Sequence, residues 1–182
     1  MDKKKVLIVV DYQKDFVDGA LGFEKAATLD EGIANLIRQY MNNGDLVMFT
    51  MDTHHGNYLN TQEGKKLPVP HCILGSSGWE LYGKTAEAYH TDYEQGSIYS
   101  FEKETFGSDS LLETLANNSD RIESITLVGV VTNMCVISNA VIAKAACPEA
   151  EIIIKKDSVA SFDETKHNEA LSVMESMQMT VE

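Results

Sequence analysis

The side chains best placed for chemistry are Cys135, Asp11, Lys103, Asp52, His54 and His71. Cys135 lies in GVVTNMCV at 129–136, where an apolar strand pattern gives way to a helical one. A thiol at such a turn sits near the positive end of a helix dipole, which favours thiolate, and backbone N–H groups there suit an oxyanion. The competing reading is a buried, inert cysteine, the common fate of a free one; the place at a strand end weighs for the nucleophile. Cys72 and Cys147 have no comparable setting. Asp11 directly follows VLIVV, and a carboxylate ending a buried strand is partly desolvated, which raises its pKa and suits proton transfer. A turn or capping role is the commoner use of an isolated Asp. Lys103, in FEKETFGS, is by itself a solvated surface lysine; its value depends on nearness to Asp11 and Cys135.

A second group suits a metal. Asp52 and His54 are two residues apart and point to one side if their strand continues. His71, in PVPHC, would arrive from a long loop, and Glu63 between the two arms is a candidate fourth ligand. Neutral imidazoles with a carboxylate suit Zn²⁺, Fe²⁺ or Mn²⁺. His54 and His55 are adjacent, so one of them is expected to face the ion.

These residues need a scaffold that brings strand ends together. Apolar runs predict strands at 6–10, 46–50, 98–102, 125–131, 152–154 and 179–181. Helical spacing predicts helices at 28–41, 108–116, 136–146 and 165–177, with a shorter one at 79–88. From 53 to 99 the pattern weakens, and so long a connection is usually functional. The alternation implies an α/β fold: a three-layer, doubly wound, mainly parallel sheet flanked by helices, in a single domain over 1–182. In such sheets ligands bind beyond the carboxyl ends of the strands, where Asp11, Asp52, His54, Lys103 and Cys135 are all predicted to lie.

Composition narrows the function. Across 182 residues, 15 Lys and Arg face 28 Asp and Glu, for a formal net charge of -13. So acidic a chain repels phosphate backbones and offers no basic patch to an anionic membrane, so neither nucleic acid nor membrane is expected as a partner. Three cysteines do not make a disulfide framework, and the apolar run before Asp11 is too short for a signal or a membrane span. A reducing, cytoplasmic setting is therefore expected. A GxSxG elbow, a Walker A loop, a GxGxxG turn and a CxxC pair are all absent from the sequence.

Taken in order, five segments resemble the isochorismatase-like cysteine hydrolase superfamily, and within it the nicotinamidases. DYQKDF at 11–16 resembles the D-x-Q-x-D-F opening, and MDTHH at 51–55 the D-x-H metal arm. PVPHCILGSSGWEL at 68–81 is similar to the segment with the second metal histidine. FEKETFGS at 101–108 resembles the segment with the catalytic lysine, and GVVTNMCV that with the nucleophile. The resemblance implies catalytic roles for Asp11, Lys103 and Cys135, and a divalent metal, zinc first with iron or manganese as alternatives, on Asp52, His54 and His71. It implies hydrolysis of nicotinamide to nicotinate and ammonia through a cysteine thioester, in NAD salvage, by a homo-oligomer. The ring would sit near Phe16, and the backbone N–H groups of Val131 and Cys135 would hold the oxyanion, after a cis peptide between Val130 and Val131. Thr53 and His55 depart from the Trp and Pro usual in nicotinamidases, Asn133 and Met134 from an Asp and an aromatic, and Trp79 from a small residue. The alternatives are a sibling acting on a ureido or carbamoyl amide, or a non-catalytic member.

Overall fold

The computed structural model describes residues 3–93 and 98–182. Its centre is strand β1 (Lys4–Val10), whose last residues are apolar without alternation and buried on both sides. Val6, Ile8 and Val10 enter one core, and Leu7 and Val9 enter another. This is the pattern of a strand with helices on both of its faces. The other strands are β2 (Leu46–Asp52), β3 (Ile98–Lys103), β4 (Ile122–Val130), β5 (Glu151–Ala160) and β6 (Thr180–Val181). They lie in the order β3-β2-β1-β4-β5-β6, and every pairing among them is parallel.

Eight helices connect the described strands: α1 (Lys14–Val17), α2 (Glu24–Ala27), α3 (Asp30–Asn42), α4 (Gln62–Lys66), α5 (Gly83–Tyr93), α6 (Asp109–Ala116), α7 (Ile137–Ala146) and α8 (Glu164–Ser176). Ile33 and Ile37 of α3 and Ala88 of α5 pack with Leu7, Val9 and Phe49. Leu111 of α6, Ala140 of α7 and Met174 of α8 pack on the opposite face with Ile8, Ile125 and Leu127. The sheet is thus a middle layer between two apolar cores.

Two predicted elements differ in extent, the strand at 152–154 and the helix at 79–88, which lies at Gly83–Tyr93. β5 runs well past the apolar triplet at 152–154, through the half-buried Lys155 and the exposed Lys156 and Asp157, which lie where its register with β4 shifts between Ile154 and Val159. The helices α1, α2 and α4 lie in stretches without helical spacing; at four or five residues each they are too short to show it.

The chain moves outward from β1 through β2 to β3, then returns to the other side of β1 with β4. This reversal opens a crevice beyond the ends of β1 and β4, the usual ligand position in doubly wound sheets. The two strands approach closely there. Gly129 has φ +110, and a Cβ on it would lie 2.1 Å from the Val10 carbonyl oxygen, so only glycine fits. The expected cis peptide between Val130 and Val131 follows immediately.

Candidate functional site

Asp11 leaves β1 with φ +45, an uncommon conformation for a residue with a side chain. The turn aims its carboxylate into the crevice, where the Thr50 hydroxyl donates to Oδ1 at 2.6 Å. Lys103 ends β3 in register with Asp52, the last residue of β2. Taken alone, Lys103 reads as a surface lysine; in the structure it is 5% exposed. Its Nζ lies 2.7 Å from Asp11 Oδ2 and 3.2 Å from Asp52 Oδ1, and donates to Cys135 Sγ at 3.7 Å. Cys135 sits in a single π-helical turn, Thr132–Val136, that leads from β4 into α7. The Asn139 side chain donates to its carbonyl at 2.8 Å, which ties the turn to the following helix. Three residues distant in sequence therefore meet because three neighbouring parallel strands and the turn after the fourth end at one edge.

Electrostatics define the resting state. Burial lifts the Asp11 carboxyl above its usual 3.8, against the pull of Lys103. Burial also pushes the Cys135 thiol well above 9.0, and the negative charge of Asp11 adds to this while Lys103 opposes it. The sequence suggested a thiol activated by a helix dipole. In the structure burial is the largest influence on the thiol and raises its pKa, so the thiol needs a base, and Asp11, which shares the Lys103 ammonium with it, is the carboxylate at hand. Burial works against charge on Lys103, but Asp11, Cys135 and Asp52 outweigh it and keep the ammonium charged.

Asp52 has a second set of neighbours. Its Oδ2 lies 3.1 Å from His54 Nε2 and 3.2 Å from His71 Nε2. Glu63 Oε1 is 3.4 Å from His54 Nε2 and 3.9 Å from His71 Nε2. His71 Nδ1 lies 2.8 Å from the Val69 carbonyl, which can only accept, so the neutral ring keeps its lone pair on Nε2. His54 Nε2 is buried and, although 3.1 Å from Asp52 Oδ2, makes no well-aligned hydrogen bond. Burial disfavours charge on His54, yet Asp52 and Glu63 outweigh it and push its pKa up to about 9. Converging donor atoms, a buried imidazole nitrogen with no well-aligned hydrogen bond and two carboxylates beside it fit a divalent cation. The donor atoms of Asp52, His54 and His71 all lie within 4.8 Å of one another. His55 is exposed and turned away, 3.7 Å from Glu104.

The two groups share a cavity of about 290 Å³, with Cys135 and Val131 on one wall and Asp52, Glu63 and His71 on another. Phe16 lines it and meets the His71 ring edge-on, with centroids 5.4 Å apart. Met134, one of the departures noted in the sequence, lines it too, with Phe106 and Phe162, which sequence reasoning did not single out. It also missed Thr50, which holds Asp11, and Tyr58, whose ring packs against both His54 and His71. Tyr58 carries no sequence signal, because its position depends on how the loop after β2 folds. Asp15 had a signal in the 11–16 motif: its Oδ2 accepts from the Cys72 N–H at 2.8 Å and anchors the His71 arm. Two departures from the nicotinamidase pattern meet each other, as the Trp79 indole N–H donates to Thr53 Oγ1 at 2.8 Å. Asn133 accepts from the Ser161 hydroxyl at 2.7 Å.

Comparison with known proteins places this geometry. The isochorismatase domain family matches residues 5–182. An uncharacterized isochorismatase family protein, PncA of Bacillus subtilis (strain 168), is 34% identical over 173 residues, which are 93% of each chain. The pyrazinamidase/nicotinamidase of Streptococcus mutans UA159 superposes with a TM-score of 0.87 at 29% identity, covering 98% of this chain and 100% of that one. The pyrazinamidase of Pyrococcus horikoshii, solved in complex with zinc, shares the fold with a TM-score of 0.82 at 24% identity, covering 98% of each chain. Among the described residues no helix is long and apolar enough to cross a membrane.

Proposed function

The chain belongs to the isochorismatase family and is an amidohydrolase, and from that premise we propose that it hydrolyses nicotinamide to nicotinate and ammonia, with metal assistance, in NAD salvage. One observation carries the reading. The Lys103 ammonium touches both Asp11 and Cys135, and Cys135 lines a cavity that Asp52 and His71 of the metal cluster line as well. Nucleophile and cation site thus face the same small space, which suits a flat heterocyclic amide.

Asp11, ionised, takes the proton from Cys135 Sγ. The sulfur attacks the carboxamide carbon; a C–S bond forms and the carbonyl electron pair moves onto oxygen. Backbone N–H groups of Val131 and Cys135 receive that oxyanion. Asp11 returns its proton to the nitrogen as the C–N bond breaks, and ammonia leaves. Water then attacks the thioester while Asp11 takes its proton, the C–S bond breaks, and the thiol is restored. Lys103 stabilises the anionic forms of Asp11 and Cys135 throughout. Asp52, His54 and His71, with Glu63 alongside, would hold a divalent ion, and their N/O donor set suits zinc, with iron or manganese as alternatives. Such an ion would supply Lewis-acid charge to the bound amide. Phe16, which lines the same cavity beside His71, would lie against the substrate ring.

The test is ammonia release from nicotinamide by the purified protein, with and without a chelator. Release that the chelator suppresses is the expected result. No release in the presence of added Zn²⁺, Fe²⁺ or Mn²⁺ would remove nicotinamide as the substrate.

A further inference from the structure

Asp52 has an unusual structural problem. On one side it is paired with Lys103 of β3, but on the other β1 has already turned away, its last partner there being Thr50. No strand backbone remains on that side for the N–H and carbonyl of Asp52, and both are buried. Buried backbone groups without partners are costly. Gln13, two residues beyond Asp11 and wholly buried (0% exposed), fills the gap. Its Oε1 accepts from the Asp52 N–H at 2.8 Å, and its Nε2 donates to the Asp52 carbonyl at 2.9 Å. The same Nε2 donates to the Trp79 carbonyl at 2.8 Å. The orientation of the amide follows from its partners, since an N–H can only donate and a carbonyl only accept.

The residue clamped this way is the one whose carboxylate faces two ways. Its Oδ1 lies toward Lys103, and its Oδ2 toward both imidazoles. A turn of the Asp52 backbone would disturb both contacts at once. We infer that Gln13 is a positioning residue: its side-chain amide takes the place of the missing strand and sets the Asp52 carboxylate for the divalent metal. Asp52, not Gln13, would touch the ion. A methionine of similar volume would fill the same space but leave the Asp52 N–H, its carbonyl and the Trp79 carbonyl unsatisfied. The inference rests on the metal reading above.

The experiment titrates metal-stripped protein with Co²⁺, whose visible bands report the ligand geometry. The variants are Gln13→Met, Gln13→Glu and, as control, Tyr40→Phe, which removes a hydrogen bond to Thr126 on another part of the sheet. Gln13→Met should weaken Co²⁺ binding by about 10–100-fold, the usual loss when an outer partner of a ligand is removed, and shift the bands. Gln13→Glu, which in its protonated form still accepts from the Asp52 N–H and donates to one carbonyl, should lose less. Tyr40→Phe should bind as wild type does. Thermal melts identify folded variants, and Gln13→Glu carries the test if Gln13→Met does not fold. Wild-type affinity and spectrum in a folded Gln13 variant would overturn the role of Gln13 alone. Wild-type protein that takes up no Co²⁺ would overturn the metal reading and this role with it.

Discussion

The two halves of the site are built differently. Asp11 and Lys103 stand at the ends of β1 and β3, and Cys135 one turn past β4, so the parallel register of the sheet places them. The other half hangs on loops. Only Asp52 belongs to a strand; His54 and His71 meet because the chain after β2 folds back, with His54 N–H donating to the Cys72 carbonyl at 2.9 Å and Leu74 N–H to the His54 carbonyl at 2.8 Å. The first half is therefore placed by the same strand pairing that builds the core. The second is held by a few hydrogen bonds and ring contacts, and a bound ion would stabilise it most. The difference suggests that chemistry is seated on the scaffold while ligand orientation is delegated to adaptable segments.

Substitutions can break this contrast. Cys135→Ala should lower kcat by at least about 10⁴-fold, since no other group supplies the nucleophile. Circular dichroism should show an unaltered fold, and retained ammonia release would refute the role of the thiol. Lys103→Met should act on the scaffold itself. It leaves the carboxylates of Asp11 and Asp52 facing each other in a buried site, and should cost about 3–5 kcal/mol of stability. A denaturant midpoint equal to wild type would show that the ion pairs are not structural.

The loop-borne half should respond in a different observable. His71→Ala should weaken metal binding by more than about 100-fold, beyond the loss of an outer partner, while leaving the denaturant midpoint of the stripped protein nearly unchanged. Metal content equal to wild type after dialysis would remove His71 from the ligands. The smallest expected effect lies in the pH profile. Asp11 acts as base only when ionised, and its pKa is raised above 3.8 by burial. Hence kcat/KM should fall as pH falls through that raised value, and the acid limb should lie above 3.8. An acid limb at or below the ordinary carboxylate value would assign the base elsewhere.

Sequence periodicity made the sheet legible because a strand buried on both faces must be apolar throughout, as VLIVV at 6–10 is. The 11–16, 51–55, 68–81, 101–108 and 129–136 segments made the site residues legible, because chemistry restricts residue type at strand ends. Asp11, Asp52, His54, His71, Lys103 and Cys135 were all named from sequence, and the fold brings them together. Three things depended on tertiary structure alone. Burial raises the pKa of the resting Cys135 thiol, and burial is a property of the packed crevice and not of the turn. Tyr58 became a wall for both histidines only through the fold of its loop. Gln13 became a substitute for strand backbone only because β1 ends before β2 does. Residue types were determined locally, since each must meet a chemical demand. Protonation, packing and backbone satisfaction were decided by the whole fold, since they depend on which groups from distant segments exclude water together.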